Sequence, residues 1–145
     1  MSIKPIALAL VALLGSHAAS RAQETPSTPG ARVYFINLKD GDTVTSPLNV
    51  KFGLAGMGIA PAGVQGDLVA GTGHHHLLID TALEGEALKE PIPADEKHVH
   101  FGKGQTEATI TLPPGRHTLQ LLLGDWTHIP HHKPVMSERI SVTVK

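Results

Sequence analysis

Histidine is the residue whose type and spacing can do chemistry in this chain. Ten occur in 145 residues, against three Phe, one Trp and one Tyr. Eight of them fall in three short segments: His74-His75-His76, His98-Val99-His100, and His128-Ile129-Pro130-His131-His132. A neutral imidazole ligates zinc, copper, nickel or iron, and it also titrates near neutral pH. The chain has no cysteine, so neither a thiolate ligand nor a disulfide is open to it.

Spacing narrows the candidates. On a β-strand, residues two apart point the same way and lie about 7 Å apart along the chain. His74 and His76 therefore share a face and can lean onto one ion, at roughly 2 Å from each nitrogen. His75 points the other way with Leu77 and Ile79, and is expected to be structural, bonding to backbone. His98 and His100 form a second such pair, with Val99 and Phe101 turned inward. In the third segment, Pro130 and Pro134 stiffen a loop, which lowers the ordering cost of binding an ion. His128 stands nearest the preceding strand and is the candidate there, ahead of His131 and His132. The expected metal set is thus His74, His76, His98, His100 and His128, holding copper or zinc. Met57 and Met136 are soft alternatives that more simply read as packing residues. Asp80 and Asp125 are candidates to ligate or to orient a ring. His117 stands apart, two residues after Pro113-Pro114-Gly115, where a sandwich corner residue bonds to nearby backbone. Lys103, Gln105 and Glu107 form a polar group with no assigned chemistry.

The elements that must position these residues read as strands. Leu48 to Leu54 alternates apolar and polar residues, as do Gln105 to Leu112, Arg116 to Leu123 and Glu138 to Val144. Arg32 to Leu38 and His74 to Asp80 are further strands. Asp40-Gly41-Asp42 and Pro113-Pro114-Gly115 are turns. Gly56 to Gly73, with six glycines, is an irregular loop holding one short extended piece. Thr81 to Glu96 carries Pro91 and Pro93 and room for a short helical turn near Ala82 to Leu88. No long amphipathic helix competes. The expectation is an all-β, immunoglobulin-like antiparallel β-sandwich of about six or seven strands, with a small barrel as the alternative. In an up-and-down order the three histidine segments meet at one end, and His117 lies at the other.

The N-terminus reads as an export signal. Lys4 precedes an apolar run from Ile6 to Leu14, and Ser20 and Ala22 fit a cleavage site after Ala22. The run is far short of the roughly 20 residues of a membrane span. Residues 1–22 are then the signal, 23–31 a flexible leader, and 32–145 the sandwich. The remaining chain carries a net charge of about −3, without the basic patch that nucleic acid requires. A periplasmic or secreted location follows, with no membrane span after cleavage.

Three segments also carry a resemblance: Gly73–Asp80 (GHHHLLID), His100–Glu107 (HFGKGQTE) and His117–Asp125 (HTLQLLLGD). They resemble a family of short exported bacterial domains of unknown function. The resemblance implies an exported bacterial protein, with roles to be sought at His74, His75, His76, His100, Lys103, Glu107, His117, Asp125 and His128. It implies no activity. His98–Gly102 is also similar to the copper-binding strand of copper–zinc superoxide dismutases. There the spacing to Phe-Gly differs by one residue and the disulfide cysteines are missing, so that likeness assigns nothing.

Function is then expected to be transition-metal binding, for buffering or delivery through clustered histidines. The alternative is a cell-envelope protein–protein interaction module with structural or pH-sensing histidines. A metal-dependent enzyme, with Glu107 or Asp125 as base, is the third reading. No nucleophile motif or phosphate loop is present, so no catalytic residue is assigned.

Overall fold

A computed structural model of the chain describes residues 25–64 and 70–145. The expected export signal and its expected cleavage site lie outside the described residues. Among those described, nine strands run β1 (Arg32–Phe35), β2 (Asp42–Val44), β3 (Leu48–Ala55), β4 (Gly58–Ile59), β5 (Thr72–Ile79), β6 (His98–His100), β7 (Glu107–Ile110), β8 (Gly115–Gly124) and β9 (Ile140–Val144). A 3-10 turn at Gly85–Lys89 stands where a short helical turn is expected. No helix of the described residues is long and apolar enough to cross a membrane.

The strands form a β-sandwich. The small sheet has the order β1-β3-β7, and the large sheet β2-β9-β8-β5-β4, with β6 also paired to β5. Burial explains who takes the centre. β5 is buried at every position from Gly73 to Ile79, and β8 from Leu121 to Gly124. Strands covered on both faces need neighbours on both sides, so β5 and β8 pair with each other in mid-sheet. β3 and β9, by contrast, alternate buried and exposed residues, as one-sided strands do.

Two expectations are corrected. The strand order is not up-and-down: the chain passes repeatedly between sheets, and the pairs β2–β9 and β4–β5 are parallel. The leader is not free from Thr25 onward. The Thr25 hydroxyl donates to Asp125 Oδ2 at 2.8 Å and the Ser27 hydroxyl to the Lys133 carbonyl at 2.9 Å. The Thr25 carbonyl accepts the His132 N–H at 2.9 Å. These bonds fasten the segment to the loop between β8 and β9.

The main core lies between the sheets. Leu77, Leu119, Leu121, Leu123 and Val142 of the large sheet face Val33, Val50, Phe52 and Ile110 of the small one. A second, smaller cluster lies on the outer face of the large sheet, where Leu78 and Leu122 meet Leu83 and Ile92. The segment after β5 and the loop after β8 thus cover that outer face. Period-two alternation puts His74 and His76 on the same outer side as Leu78.

Candidate metal centre

Three segments converge because of register. β5 and β8 are antiparallel, with His74 opposite Gly124 and His76 opposite Leu122. The start of β5 therefore lies beside the end of β8, from which the His128 loop departs. β6 pairs antiparallel on the other edge of β5, with His76 opposite His100. Directly paired side chains sit about 5 Å apart, so His76 and His100 meet without any special loop.

Four imidazoles result. Ring centroids are 4.7 Å apart for His74–His76, 4.9 Å for His74–His100, 5.0 Å for His76–His100 and 5.0 Å for His74–His128. His100–His128 is 4.6 Å and His76–His128 is 6.2 Å. One nitrogen from each of His74, His76 and His100 lies within 4.8 Å of the others. A tetrahedral zinc site needs about 3.3 Å between ligand nitrogens, so small side-chain rotations close this set onto an ion. His74 and His76 are buried, His128 is half-buried and His100 is exposed, so the group opens to solvent on the His100 side.

Both nitrogens of His74 and Nδ1 of His76 are buried without a hydrogen-bond partner. Such groups normally cost on the order of 1–3 kcal/mol each. Burial, and then the neighbouring rings, push His74 down to about 4 and His76 to about 2. Burial, then His128, also lowers His100. The rings are thereby held neutral, which is the form that offers a lone pair to a metal.

Backbone and loop chemistry make room for them. A Cβ on Gly124 would stand 2.7 Å from His76 Cε1, and one on Gly102 would collide with the His100 ring. Both glycines are thus needed by the rings beside them. Asp125 builds the loop that carries His128. Its Oδ1 accepts from the Thr127 N–H at 2.8 Å, the Thr127 hydroxyl at 2.6 Å and the Ile129 N–H at 3.1 Å. The His128 N–H closes the turn on the Asp125 carbonyl at 2.9 Å. His128 itself has φ 69, a left-handed conformation uncommon for a residue with a Cβ. Its carbonyl accepts the Ile92 N–H at 2.8 Å, which ties the loop to the segment after β5.

The other histidines have other places. His98 lies on the same face as His100 but one repeat further along, opposite Leu78. Its Nδ1 pairs with Asp95 Oδ1 at 2.7 Å. It does not join the four-ring group, and Asp95, three residues ahead, is the sequence signal for its different partner. His75 does turn inward, but the expected backbone bond is absent. Both its nitrogens are buried and unpartnered, with its ring 5.1 Å from Phe52. His117 bonds backbone as expected, through Nε2 and the Pro113 carbonyl at 2.9 Å, and also pairs with Asp80 through Nδ1 at 2.7 Å. His131 Nε2 donates to the Thr72 carbonyl at 3.0 Å.

Asp80 therefore belongs to His117, and Asp125 to the loop. Met57 and Met136 pack on the main and outer apolar clusters respectively. Gln105 caps the Lys103 N–H at 2.8 Å, and Glu107 lies across from Lys51 on the exposed sheet, which gives that polar group a structural account. Sequence reasoning missed Gly102 and Gly124. The signal for them was a glycine directly beside a histidine strand, two residues after His100 and opposite His74.

No curated protein and no solved structure matches the chain. The profile of the Domain of unknown function (DUF4399) matches residues 50–145, and the chain belongs to that family.

Proposed function

We propose that the protein binds a transition-metal ion, zinc or copper, through His74, His76, His100 and His128, and serves to buffer or deliver it. The observation that carries this reading is a set of four imidazoles, gathered from three segments, whose ring centroids lie 4.6–6.2 Å apart, with both nitrogens of His74 and Nδ1 of His76 buried without a protein partner. A structural role for these rings would leave several desolvated polar atoms without compensation, whereas a bound ion supplies it. An exported location, from the signal-like residues 1–22, suits a chain that handles metal without thiolates. The open His100 side favours exchange of the ion over permanent burial.

Isothermal titration of the purified, tag-free protein with zinc and copper tests this. Submicromolar binding of one ion per chain is expected, weakened in both His74→Ala and His128→Ala. Affinity no tighter than millimolar for every ion would overturn the reading and leave an interaction module. His98→Ala should leave affinity unchanged.

A further inference from the structure

The arrangement of the four rings says which ions fit. This step rests on the metal-binding reading above. Two geometries are at issue. An ion in the centre of a tetrahedron of imidazoles, with metal–nitrogen bonds of about 2.05 Å, holds every pair of ring centroids about 5.2 Å apart. A square-planar ion with similar bonds leaves four pairs at about 4.5 Å and spreads two diagonal pairs to about 6.4 Å.

The protein has five pairs between 4.6 and 5.0 Å and one, His76–His128, at 6.2 Å. If His76 and His128 were one diagonal of a square, His74 and His100 would be the other. That pair is only 4.9 Å apart. The set is therefore not a plane but a tetrahedron opened along its His76–His128 edge.

Rigidity then matters as much as shape. His74 and His76 are fixed on a buried central strand, and His100 is fixed by its pairing opposite His76. Flattening the set would need His74 and His100 to move apart across the sheet. The donor set is also entirely imidazole, with no carboxylate in it. Asp125, whose charge reaches His74, spends both oxygens on Thr25, Thr127 and Ile129. Hard cations such as magnesium and calcium require oxygen ligands and find none here.

The geometry points to a tetrahedral all-imidazole site selective for a closed-shell d10 ion, Zn2+ or Cu+, over Ni2+ and Cu2+, which favour tetragonal coordination. A flexible histidine cluster would instead follow the usual stability order of divalent ions, with nickel competitive and cupric ion far above zinc.

The test loads the purified, tag-free protein with Co2+ as a spectroscopic reporter. Intense visible bands of four-coordinate cobalt are expected. Competition titrations should then show Zn2+ displacing Co2+ and outranking Ni2+ by roughly tenfold or more. Cu2+ should lose most of its customary lead over zinc. An anaerobic arm, with Cu+ supplied from a bathocuproine complex, tells the two d10 ions apart. Retention of Cu+ against the chelator assigns cuprous copper, and its loss assigns zinc.

Weak six-coordinate cobalt bands, with Ni2+ bound as tightly as Zn2+, would overturn the selectivity while leaving metal binding intact. Failure of every ion to bind overturns the metal reading itself. Gly124→Ala adds a second readout: by pressing on His76 it should weaken zinc binding and alter the cobalt bands. An unchanged cobalt spectrum in that variant counts against a rigid tetrahedron.

Discussion

Opposite ends of the β5–β8 pair carry the same residue type in opposite chemical states. At one end His117 has both nitrogens occupied, by the Asp80 carboxylate and the Pro113 carbonyl, at 2.7 and 2.9 Å. At the other end His74 and His76 are buried, with three of their four nitrogens unpartnered and neighbouring imidazoles around them. A partnered imidazole is a clamp between strand ends. An unpartnered cluster is unfinished until something else completes it. The distinction lies in what each nitrogen touches, not in burial, since His117 is buried too.

Adding the ion is the strongest way to test the contrast. Zinc at a thousandfold excess over its dissociation constant should stabilise the folded protein by about 4 kcal/mol, read as a concentration-dependent rise in melting temperature. A flat response would erase the difference between the two ends. The cluster end should next be broken by His76→Ala. Even residues that only orient a ligand are worth 10- to 100-fold, so losing a ligand should cost at least about 100-fold in zinc affinity. The same change removes a desolvated ring, so the stability of the ion-free protein should fall less than ordinary truncation of a core residue would cause. His117→Ala should do the reverse. Zinc affinity stays constant while folding loses on the order of 2 kcal/mol, the worth of a charge-assisted hydrogen bond and a neutral one. Urea unfolding together with titration separates the two columns of this comparison.

His75 sharpens the contrast from a third side. It is unpartnered like the cluster but solitary, facing Phe52 inside the sandwich. Burial alone lowers it to about 4, so it is neutral. His75→Leu keeps the volume near and removes two orphaned nitrogens, so it should stabilise the protein by about 1 kcal/mol. Zinc affinity should not change. A loss of stability on urea unfolding would mean that this ring has a partner after all.

Much of this was legible in the sequence, and the misses have physical causes. Alternation in Leu48–Leu54, Arg116–Leu123 and Glu138–Val144 exposed the sandwich, because a half-buried strand must alternate. The pairing of His74 with His76 followed from the same period. Strand order was not legible, since pairing partners are chosen by burial on both faces, and a run such as His74 to Ile79 does not say who its neighbours are. His98 was misplaced for a related reason. The His-x-His spacing fixes the face but not the position along the partner strand, and the register that sets His100 opposite His76 leaves His98 opposite Leu78. The fastening of Thr25 to Asp125 was equally hidden, because it spans a hundred residues and rests on one hydroxyl.

The smallest expected effect is in pH, and its sign belongs to the clamp alone. Hydrogen bonds to Asp80 and then to the Pro113 carbonyl raise His117 above its ordinary 6.5, outweighing burial. Burial pushes the Asp80 carboxyl upward, but its bonds to His117 and the Thr118 N–H prevail and hold it below 3.8. A raised histidine binds its proton more tightly in the folded state. Its contribution is complete below 6.5 and fades as pH rises through the elevated folded value. A depressed carboxylate contributes fully above 3.8 and is lost as pH falls through its lower folded value. The clamp is therefore strongest between those two limits and weakens on the alkaline side first. The measurement is the difference in unfolding free energy between the protein and His117→Asn, followed from pH 5 to 9 without metal. Taking the difference cancels the other titrating groups. The difference should shrink as pH climbs past neutrality; a difference that grew would mean that His117 is neutral in the fold and that its bond to Asp80 is not an ion pair.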